Sequence, residues 1–381
     1  MGNIEQGQVV FDTAIIGAGD VVSKRMLPAL LEKMGKSEKE GNPIQIYNLN
    51  HIVFKGNERW SVPERLQGFL SEESNCIFDL IKEDLSPNRV TWVATPSDTH
   101  LYYLRLLLEK PGFIVMEKPI VASAGDLDEL QRLLSDKTNR ERVFFLSYYV
   151  LEKALLLTFL KKPNLFYLHY FEDTMEDFYQ AFLELGQLQE INVSLFEGCD
   201  TRDLPYGGQV IETLIHHCLI AALFVGLPDR WGNIEFSQVE TRCHNQMSNE
   251  TAISLYAVGE NGAKISLALF KSAKNKKKQF AILNFENGTL YADFATKEAE
   301  IRFHGLDKII KTRVSPQYEN AYSVQCDMVY RCFSGETSPV GIDGLYFQPE
   351  VLKWLFSLNQ KVKFKKDETE NGVVYSRRFV G

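Results

Sequence analysis

The sequence predicts an α/β protein with two domains: an N-terminal doubly wound parallel sheet, and a C-terminal α+β domain with an open antiparallel sheet. Strands alternate with helices over residues 8–148, as in a parallel sheet with crossover helices. From Glu190 onward, short strands follow one another, and the turn dipeptides Asn261-Gly262 and Asn287-Gly288 stand between pairs of them. A length of 381 residues suits two domains, and we place them at 1–148 and 149–381.

The stretch Phe11–Leu30 organises the N-terminal domain. Its apolar run Ala14–Ile16 predicts a buried strand, and a glycine turn then leads into a helical pattern. Gly17 allows the tight turn, and Gly19, which lacks a Cβ, lets a pyrophosphate approach the free N–H groups of the helix. Because Val22 stands where the usual pattern has a third glycine, a sharp turn without a ligand is the alternative. The predicted dinucleotide contacts in this turn are Gly17, Gly19, Asp20 and Val21.

The remainder of the N-terminal domain continues the alternation of strands and helices. In parallel sheets, ligands bind at the loops that follow the strand ends. The segments Thr95–His100 and Glu117–Pro119 each follow a predicted strand, so we expect both to face a ligand. The predicted strands are Pro43–Leu49, Arg89–Ala94, Phe113–Met116 and Val143–Tyr148, and the predicted helices are 61–87, Leu101–Leu108 and Leu127–Leu134.

The end of the second strand distinguishes NAD from NADP, because an acidic side chain there binds the ribose and a basic one accommodates the 2′-phosphate. Asn48, Asn50 and His51 leave this choice open. Lys24 and Arg25, in the first helix, shift it towards NADP, although solvated helix charges are the alternative for both. We therefore predict NADP or NAD as the cofactor, with Lys24 and Asn50 among its contacts.

The C-terminal region predicts a sheet that associates with a second copy of the chain. Outward positions of strands such as Ala252–Val258 and Lys264–Phe270 still include apolar residues, which indicates a homodimer or a homotetramer. The predicted strands are Ile191–Phe196, Ile234–Arg242, Ala252–Val258, Lys264–Phe270, Gln279–Phe285, Thr289–Phe294 and Ile301–His304, and the predicted helices are Leu151–Leu160, Val210–Phe224 and Pro349–Leu358.

Composition excludes several classes of partner. A formal net charge of −8 argues against nucleic acid and against an anionic membrane surface. No apolar run reaches the length of a membrane span, and the first residues lack a secretory signal pattern. The six cysteines show no spacing typical of a metal site, so we expect reduced thiols, a cytoplasmic location and no bound metal.

Four motifs, in this order, resemble the Gfo/Idh/MocA oxidoreductases: GAGD at Gly17–Asp20, ATPSDTH at Ala94–His100, MEKPI at Met116–Ile120, and ExxxH at Glu212–His216. The resemblance implies a Rossmann domain followed by an open antiparallel sheet. It also implies hydride transfer between NAD(P) and a sugar, a cyclitol or a related polyol, in which the protein orients the reactants and supplies a base.

A second, local resemblance is to glucose-6-phosphate dehydrogenases. The segments Gly19–Leu30, Glu190–Gly198 and Tyr206–Ile220 are similar to segments of that family, and Ser147–Lys153 is loosely similar to its phosphate-binding stretch. Gln187 stands where that family has its catalytic histidine. We therefore expect not a glucose-6-phosphate dehydrogenase but a Gfo/Idh/MocA-type enzyme that acts on a sugar, a sugar phosphate or a cyclitol.

The first resemblance assigns catalysis to Lys118, His216 and Glu212. Lys118 would hydrogen-bond the reacting hydroxyl and help to lower its pKa. His216 would act as general base or proton relay, and Glu212, one turn earlier on the same helix face, would orient it or the substrate. A surface lysine and a buried packing histidine are the alternatives. His217 competes with His216, because the glucose-6-phosphate dehydrogenase register places its histidine there.

The remaining predicted contacts follow the same resemblance. Helix capping by Ser97 or Asp98 is the alternative for the loop after the third strand. The predicted cofactor contacts there and after the next strand are Thr95, Pro96, His100 and Glu117, and the predicted substrate contacts are Lys118, Tyr148, Lys153 and His217.

An alternative function is a catalytically silent regulator of the same fold that still binds a dinucleotide. Val22, Gln187 and Glu212 favour it, because each departs from a pattern of one of the two families. The presence of both Lys118 and His216 favours the enzyme.

Overall fold

The structure is a computed structural model. It describes residues 12–17, 19, 21–35, 44–47, 86–146, 171, 175–197, 214–244, 247–271, 277–316, 320–335, 347–360, 362–369 and 372–379. The chain forms two compact units. The first contains Met1–Ser147 and Tyr322–Ile342, and the second contains Tyr148–Ala321 and Asp343–Gly381. The domain limits predicted above stay a prediction; this grouping adds residues 322–342 to the N-terminal part.

The elements are numbered here in chain order over the described residues. The first part of the chain forms β1 (Asp12–Ile16), a π-helical turn (Val22–Met26) that continues as α1 (Leu27–Gly35), β2 (Ile44–Tyr47), β3 (Arg89–Val93), α2 (Ser97–Leu108), β4 (Phe113–Met116), α3 (Ala124–Leu133), α4 (Lys137–Arg142) and β5 (Val143–Phe145). The rest forms α5 (Met175–Leu183), β6 (Leu188–Glu197), α6 (Ile215–Val225), β7 (Gly232–His244), β8 (Met247–Val258), β9 (Lys264–Lys271), β10 (Lys278–Phe285), β11 (Gly288–Asp293), β12 (Glu298–Phe303), β13 (Ile309–Arg313), α7 (Ala321–Phe333), α8 (Phe347–Gln360), β14 (Val362–Thr369) and β15 (Gly372–Phe379).

The first unit is built on a parallel sheet with strand order β2-β1-β3-β4-β5 over the described residues. All five residues of β3 are buried, which is typical of a strand covered on both faces. Asp12 and Arg89 are register partners on β1 and β3, and they form an ion pair at 2.5 Å between Oδ2 and Nε. The strand order reverses direction between β1 and β3, and in such sheets the ligand binds at this switch point.

Helix α7 packs on this parallel sheet, although it follows it by more than 170 residues in the chain. Phe333 stacks on Phe113 with 4.1 Å between ring centroids, and the Tyr330 ring lies 6.5 Å from that of Trp92. The Tyr330 hydroxyl and Thr13 Oγ1 share a hydrogen bond of 2.7 Å. These contacts hold the helix to β1, β3 and β4.

The second unit contains a mostly antiparallel sheet with strand order β13-β12-β11-β10-β6-β9-β8-β7-β15-β14 over the described residues. One pair, β6 with β9, is parallel, from Glu190 opposite Lys264 to Glu197 opposite Lys271. Helix α6 packs against β6, β9 and α8. Nine of its eleven residues are buried, so it forms part of the core of this unit.

The predicted fold class is confirmed, with local differences. The parallel pair departs from the predicted antiparallel sheet, because an alternating pattern has the same period in parallel and antiparallel strands. The sequence analysis also missed α4, α5, β13, α7, β14 and β15. The predicted helix Leu151–Leu160 and residues 61–85 of the predicted helix 61–87 lie outside the described residues. No helix in the described part of the chain is long and apolar enough to cross a membrane.

Candidate functional site

The two glycines of the turn after β1 differ in their surroundings. Gly17 has a φ of +110°, and a Cβ there would collide with the carbonyl group of Ala94 and lie 3.4 Å from Thr95 Cγ2. The fold itself therefore requires a glycine at this position. A Cβ built on Gly19 meets no atom of the described residues within 4 Å. Packing in this part of the chain therefore does not require a glycine at 19, and the open space there is what close approach by a ligand requires.

The helical turn runs back to the second glycine. Val21 already has helical φ and ψ, and Ser23 N donates to Gly19 O at 2.9 Å, so the helix begins within residues 19–21, of which Asp20 lies outside the described residues. The N–H groups of the first turn of a helix suit an anion. Lys24 and Arg25 are exposed on this first turn.

The loop after β3 is held by a short hydrogen-bond network. His100 is fully buried, and its Nε2 donates to Thr95 O at 2.8 Å. The Thr99 hydroxyl lies 2.7 Å from both Thr95 Oγ1 and Pro96 O. The hydrogen bond from His100 to Thr95 O therefore helps to shape the loop. The cofactor contacts predicted for His100, Thr95 and Pro96 stay predictions.

The helix after this loop begins earlier than the sequence indicated. Helix α2 starts at Ser97 rather than Leu101, and Pro96 occupies its N-cap position without a side-chain cap. Ser97 and Asp98 are therefore helical residues, and the capping role considered for them is wrong. A proline before the first helical residue has a fixed φ that suits this position.

The strand end after β4 carries a buried carboxylate beside the predicted catalytic lysine. Glu117 N donates to Val93 O at 2.9 Å, so the end of β4 lies beside that of β3. Glu117 is 6% exposed, its Oε2 accepts from Lys118 N at 3.1 Å, and its Oε1 accepts from the Tyr322 hydroxyl at 3.0 Å. Lys118 is half-buried, and Pro119 follows it in a cis peptide bond.

Burial raises the pKa of the Glu117 carboxyl above its usual value of 4.5. The positive charge of Lys118, the hydrogen bonds from Lys118 N and Tyr322, and the charge of Arg25 all act in the opposite direction but do not offset the desolvation. Burial, followed by the charge of Glu117, raises the pKa of the Tyr322 hydroxyl. Tyr322 is therefore protonated and donates to the carboxylate.

The structure thus brings the carboxyl ends of three strands of the first unit together. Gly17, after β1, packs against Ala94, after β3. Glu117, after β4, bonds to the last residue of β3. These ends lie at the switch point of the sheet, where the sequence predicted the dinucleotide. Tyr322, on α7, contacts this group, and sequence reasoning missed it because no local pattern links a helix to a strand end 205 residues earlier.

The two adjacent histidines of α6, in the second unit, are both buried. His216 is 2% exposed and His217 is fully enclosed. Neither ring nitrogen of His217 has a hydrogen-bond partner in the described part of the chain, and burial lowers its pKa to about 3. His217 is therefore neutral at physiological pH. Its predicted contact with substrate, and the catalytic role of His216, stay predictions.

Several predicted site residues lie outside the described residues, so the structure says nothing of their positions: Asp20, Asn50, Tyr148, Lys153 and Glu212. Gln187, which stands where glucose-6-phosphate dehydrogenases have a histidine, precedes β6. Its backbone N donates to Glu286 Oε2 at 3.1 Å at an exposed position.

Residues 11–145 match the model of the GFO_IDH_MocA family, described as an oxidoreductase family with an NAD-binding Rossmann fold. The match covers the glycine turn, the loop after β3 and the strand end at Glu117–Pro119. It confirms the resemblance inferred from the first three motifs. No curated protein sequence matches the chain significantly.

Solved structures extend the similarity over almost the whole chain. An oxidoreductase from Thermotoga maritima has a TM-score of 0.64 at 14% identity, covering 92% of this chain and 96% of its own. A UDP-N-acetylglucosamine 3-dehydrogenase from Acidithiobacillus ferrooxidans has a TM-score of 0.61 at 12% identity, covering 93% and 98%. A 3-ketoreductase from Actinomadura kijaniata, in complex with NADP and TDP-benzene, has a TM-score of 0.59 at 15% identity, covering 92% and 98%. At these identities the similarity establishes the fold.

Proposed function

We propose that this chain, an NAD(P)-binding oxidoreductase of the Gfo/Idh/MocA type, transfers hydride between the nicotinamide and a hydroxyl or carbonyl group of a sugar, a sugar phosphate or a cyclitol. The observation that carries the proposal is the meeting of Gly17, Thr95 and Glu117 at the switch point of the parallel sheet, with Lys118 directly after Glu117. The solved structures of similar fold include a sugar-nucleotide dehydrogenase and a ketoreductase, which supports a sugar as the substrate class.

The residues of the turn fit a dinucleotide. The open space at Gly19 among the described residues, and the start of the helical segment beside it, suit a pyrophosphate. Exposed Lys24 and Arg25 lie on the same turn, where a 2′-phosphate would add favourable charge interactions. These basic side chains favour NADP over NAD in our proposal. When bound, the nicotinamide accepts or donates the hydride.

The protein supplies the proton transfer. In our proposal the Lys118 ammonium binds the reacting hydroxyl and stabilises the negative charge that develops on its oxygen. His216 then accepts the hydroxyl proton during oxidation and returns it during reduction. Glu212 orients His216 or the substrate. His216 is proposed over His217 because it occupies the histidine position of the ExxxH motif, and because burial lowers the pKa of His217 to about 3, which makes its imidazole a weak proton acceptor.

The second unit presents a surface that supports self-association. Phe196, Phe270, Phe280 and Tyr291 alternate with buried residues on four neighbouring strands. Their rings form a continuous row, with centroids 5.2, 6.2 and 5.9 Å apart. All four side chains are only half-buried. We propose that this row packs against a second copy of the chain in a homodimer or homotetramer.

The test is a Lys118→Ala variant assayed in both directions: with NAD+ and NADP+ against a panel of sugars, sugar phosphates, cyclitols and nucleotide-linked sugars, and with NADH and NADPH against the corresponding keto compounds. Loss of a positioned acid–base group lowers turnover by about two orders of magnitude, while the affinity for the dinucleotide remains nearly unchanged. Lys137→Ala is the matched control, because Lys137 is exposed on α4 and pairs only with Glu141 on the same helix among the described ion pairs.

A His216→Ala variant should lose turnover to a similar extent, because it removes the proposed proton acceptor. Near-normal turnover by Lys118→Ala would refute the catalytic assignment. A protein that binds NADPH but turns over no member of the panel would favour the silent regulator.

A further inference from the structure

We propose that Tyr322 is a positioning residue for Lys118: its hydroxyl fixes the Glu117 carboxylate, and that carboxylate fixes the Lys118 backbone at the site. This inference rests on the proposed function, because it concerns the lysine that we assign to catalysis. It adds Tyr322 to the residues of the site. Tyr322 lies on α7, and this helix carries none of the motifs from which the site was predicted.

The Glu117 carboxylate is a bridge between two separate parts of the chain. One oxygen accepts from the Tyr322 hydroxyl at 3.0 Å, and the other accepts from Lys118 N at 3.1 Å. With both oxygens bonded, rotation of the carboxyl group would break at least one hydrogen bond. A carboxyl group as buried as this one also loses much of its hydration, which makes each remaining hydrogen bond costly to lose.

The far end of the bridge is itself fixed. Tyr322 is 8% exposed and lies in the first turn of α7. Further along this helix, the Tyr330 hydroxyl bonds to Thr13 in β1, and Phe333 stacks on Phe113 in β4. The Tyr322 hydroxyl is therefore held by a helix that is packed on the same sheet whose strand end carries Lys118.

The charges around the carboxylate are consistent with this role. Lys118 and Arg25 are the positive groups that interact with it, and the desolvation is nevertheless larger, so the pKa of Glu117 is raised. Removing the Tyr322 hydroxyl removes one of the interactions that favour the ionised form. The carboxyl group would then take up a proton more readily or turn away, and either change weakens its bond to Lys118 N.

The first experiment measures hydrogen exchange in Tyr322→Phe and does not depend on activity. Exchange is followed residue by residue by NMR, and the reporting amides are those of Lys118, Ile120 and Val121, because Pro119 has no N–H. We expect exchange at the Lys118 amide to be about three- to tenfold faster in Tyr322→Phe, the change expected for one lost hydrogen bond.

Tyr330→Phe is the matched control, because it makes the same type of substitution and removes another tyrosine hydroxyl from the same helix. Its partner is Thr13 Oγ1 rather than the Glu117 carboxylate. It should therefore leave exchange at Lys118 unchanged, even where it lowers the melting temperature as much as Tyr322→Phe does. Equal acceleration in both variants, or none in Tyr322→Phe, would overturn the proposal.

The second experiment separates positioning from general stability by kinetics. Tyr322→Phe should lower kcat by about tenfold, as expected for a displaced reacting group, and leave KM for NAD(P)H unchanged. In a Glu117→Ala background, the same substitution should cause no further loss, because Tyr322 acts through Glu117. Full additivity of the two losses would contradict this. If the unmodified protein turns over no substrate, the proposed function fails, and the exchange measurement still decides the role of Tyr322.

Discussion

The enclosed imidazole of His217 makes the stability of the second unit dependent on pH. Burial lowers its pKa from 6.5 to about 3, and no hydrogen-bond partner in the described part of the chain compensates for this. The folded state therefore binds fewer protons than the unfolded state between these two values. The contribution of His217 to stability is largest above pH 6.5, and it decreases as the pH falls through this range.

The magnitude follows from the size of the shift. Each pH unit below 6.5 costs about 1.4 kcal/mol of stability as the unfolded histidine takes up its proton. At pH 5, the free energy of unfolding should be about 2 kcal/mol lower than at pH 8 from this residue alone. A His217→Met variant removes this dependence, because methionine has no titratable group and fills irregular space well.

The assay is chemical denaturation of the wild-type protein and of His217→Met at pH 5 and pH 8. The difference in stability between the two proteins should shift by about 2 kcal/mol in favour of His217→Met at the lower pH. His304→Met, at an exposed histidine, serves as the control and should keep the wild-type behaviour. An identical pH dependence in His217→Met would show that the imidazole is charged or hydrated in the folded state. Loss of turnover by His217→Met at pH 8 would favour the glucose-6-phosphate dehydrogenase register for the base.

Three further predictions test the cofactor turn, the buried carboxylate and the assembly. Gly19→Val should fold normally but bind NADPH at least tenfold more weakly in a fluorescence titration, since its side chain would occupy space that the protein leaves open; unchanged affinity would remove Gly19 from the site. The pKa of Glu117 is raised, so its contribution to stability is fully present below about pH 4.5 and decreases as the pH rises. Glu117→Gln should flatten this decrease in thermal melts, and a parallel curve would contradict the assigned shift. Phe280→Glu should convert an oligomer to a monomer in light scattering, because it places a charge in the aromatic row; a wild-type monomer at micromolar concentration would refute the proposed interface.

The local signals in the sequence were sufficient for the elements of the parallel sheet. The apolar run Ala14–Ile16 predicted the last three of the five residues of β1, and Arg89–Ala94 predicted β3 with one residue too many. Phe113–Met116 was predicted without error. These strands are buried on both faces, so their hydrophobic runs are strong and their limits are marked by glycine, proline or charged residues. The EKP motif, in the same way, placed Lys118 at a strand end.

The sequence was less informative about strand pairing and helix limits that depend on contacts between distant segments. An alternating hydrophobic pattern does not distinguish the parallel pairing of β6 with β9 from an antiparallel pairing. Charged residues in β14 and β15 weaken the alternating pattern of those two strands. The alternative that Ser97 or Asp98 caps α2 was also wrong: both are good caps by residue type, but the chain enters the helix through Pro96. Residue type indicates a tendency, and the path of the chain decides which residue occupies the cap position.

The sequence by itself therefore determined the fold class, the glycine turn and the residues to which catalysis is assigned. Only the tertiary structure decided that Gly17 is required by packing while Gly19 leaves open space, since a glycine's surroundings depend on the neighbouring strand. Only it brought Tyr322 to Glu117, across 205 positions of the chain. Local sequence encodes propensity and periodicity over a few turns. Contacts between distant segments depend on how the helices and strands pack, and the chemistry of a buried carboxylate or imidazole depends on those contacts.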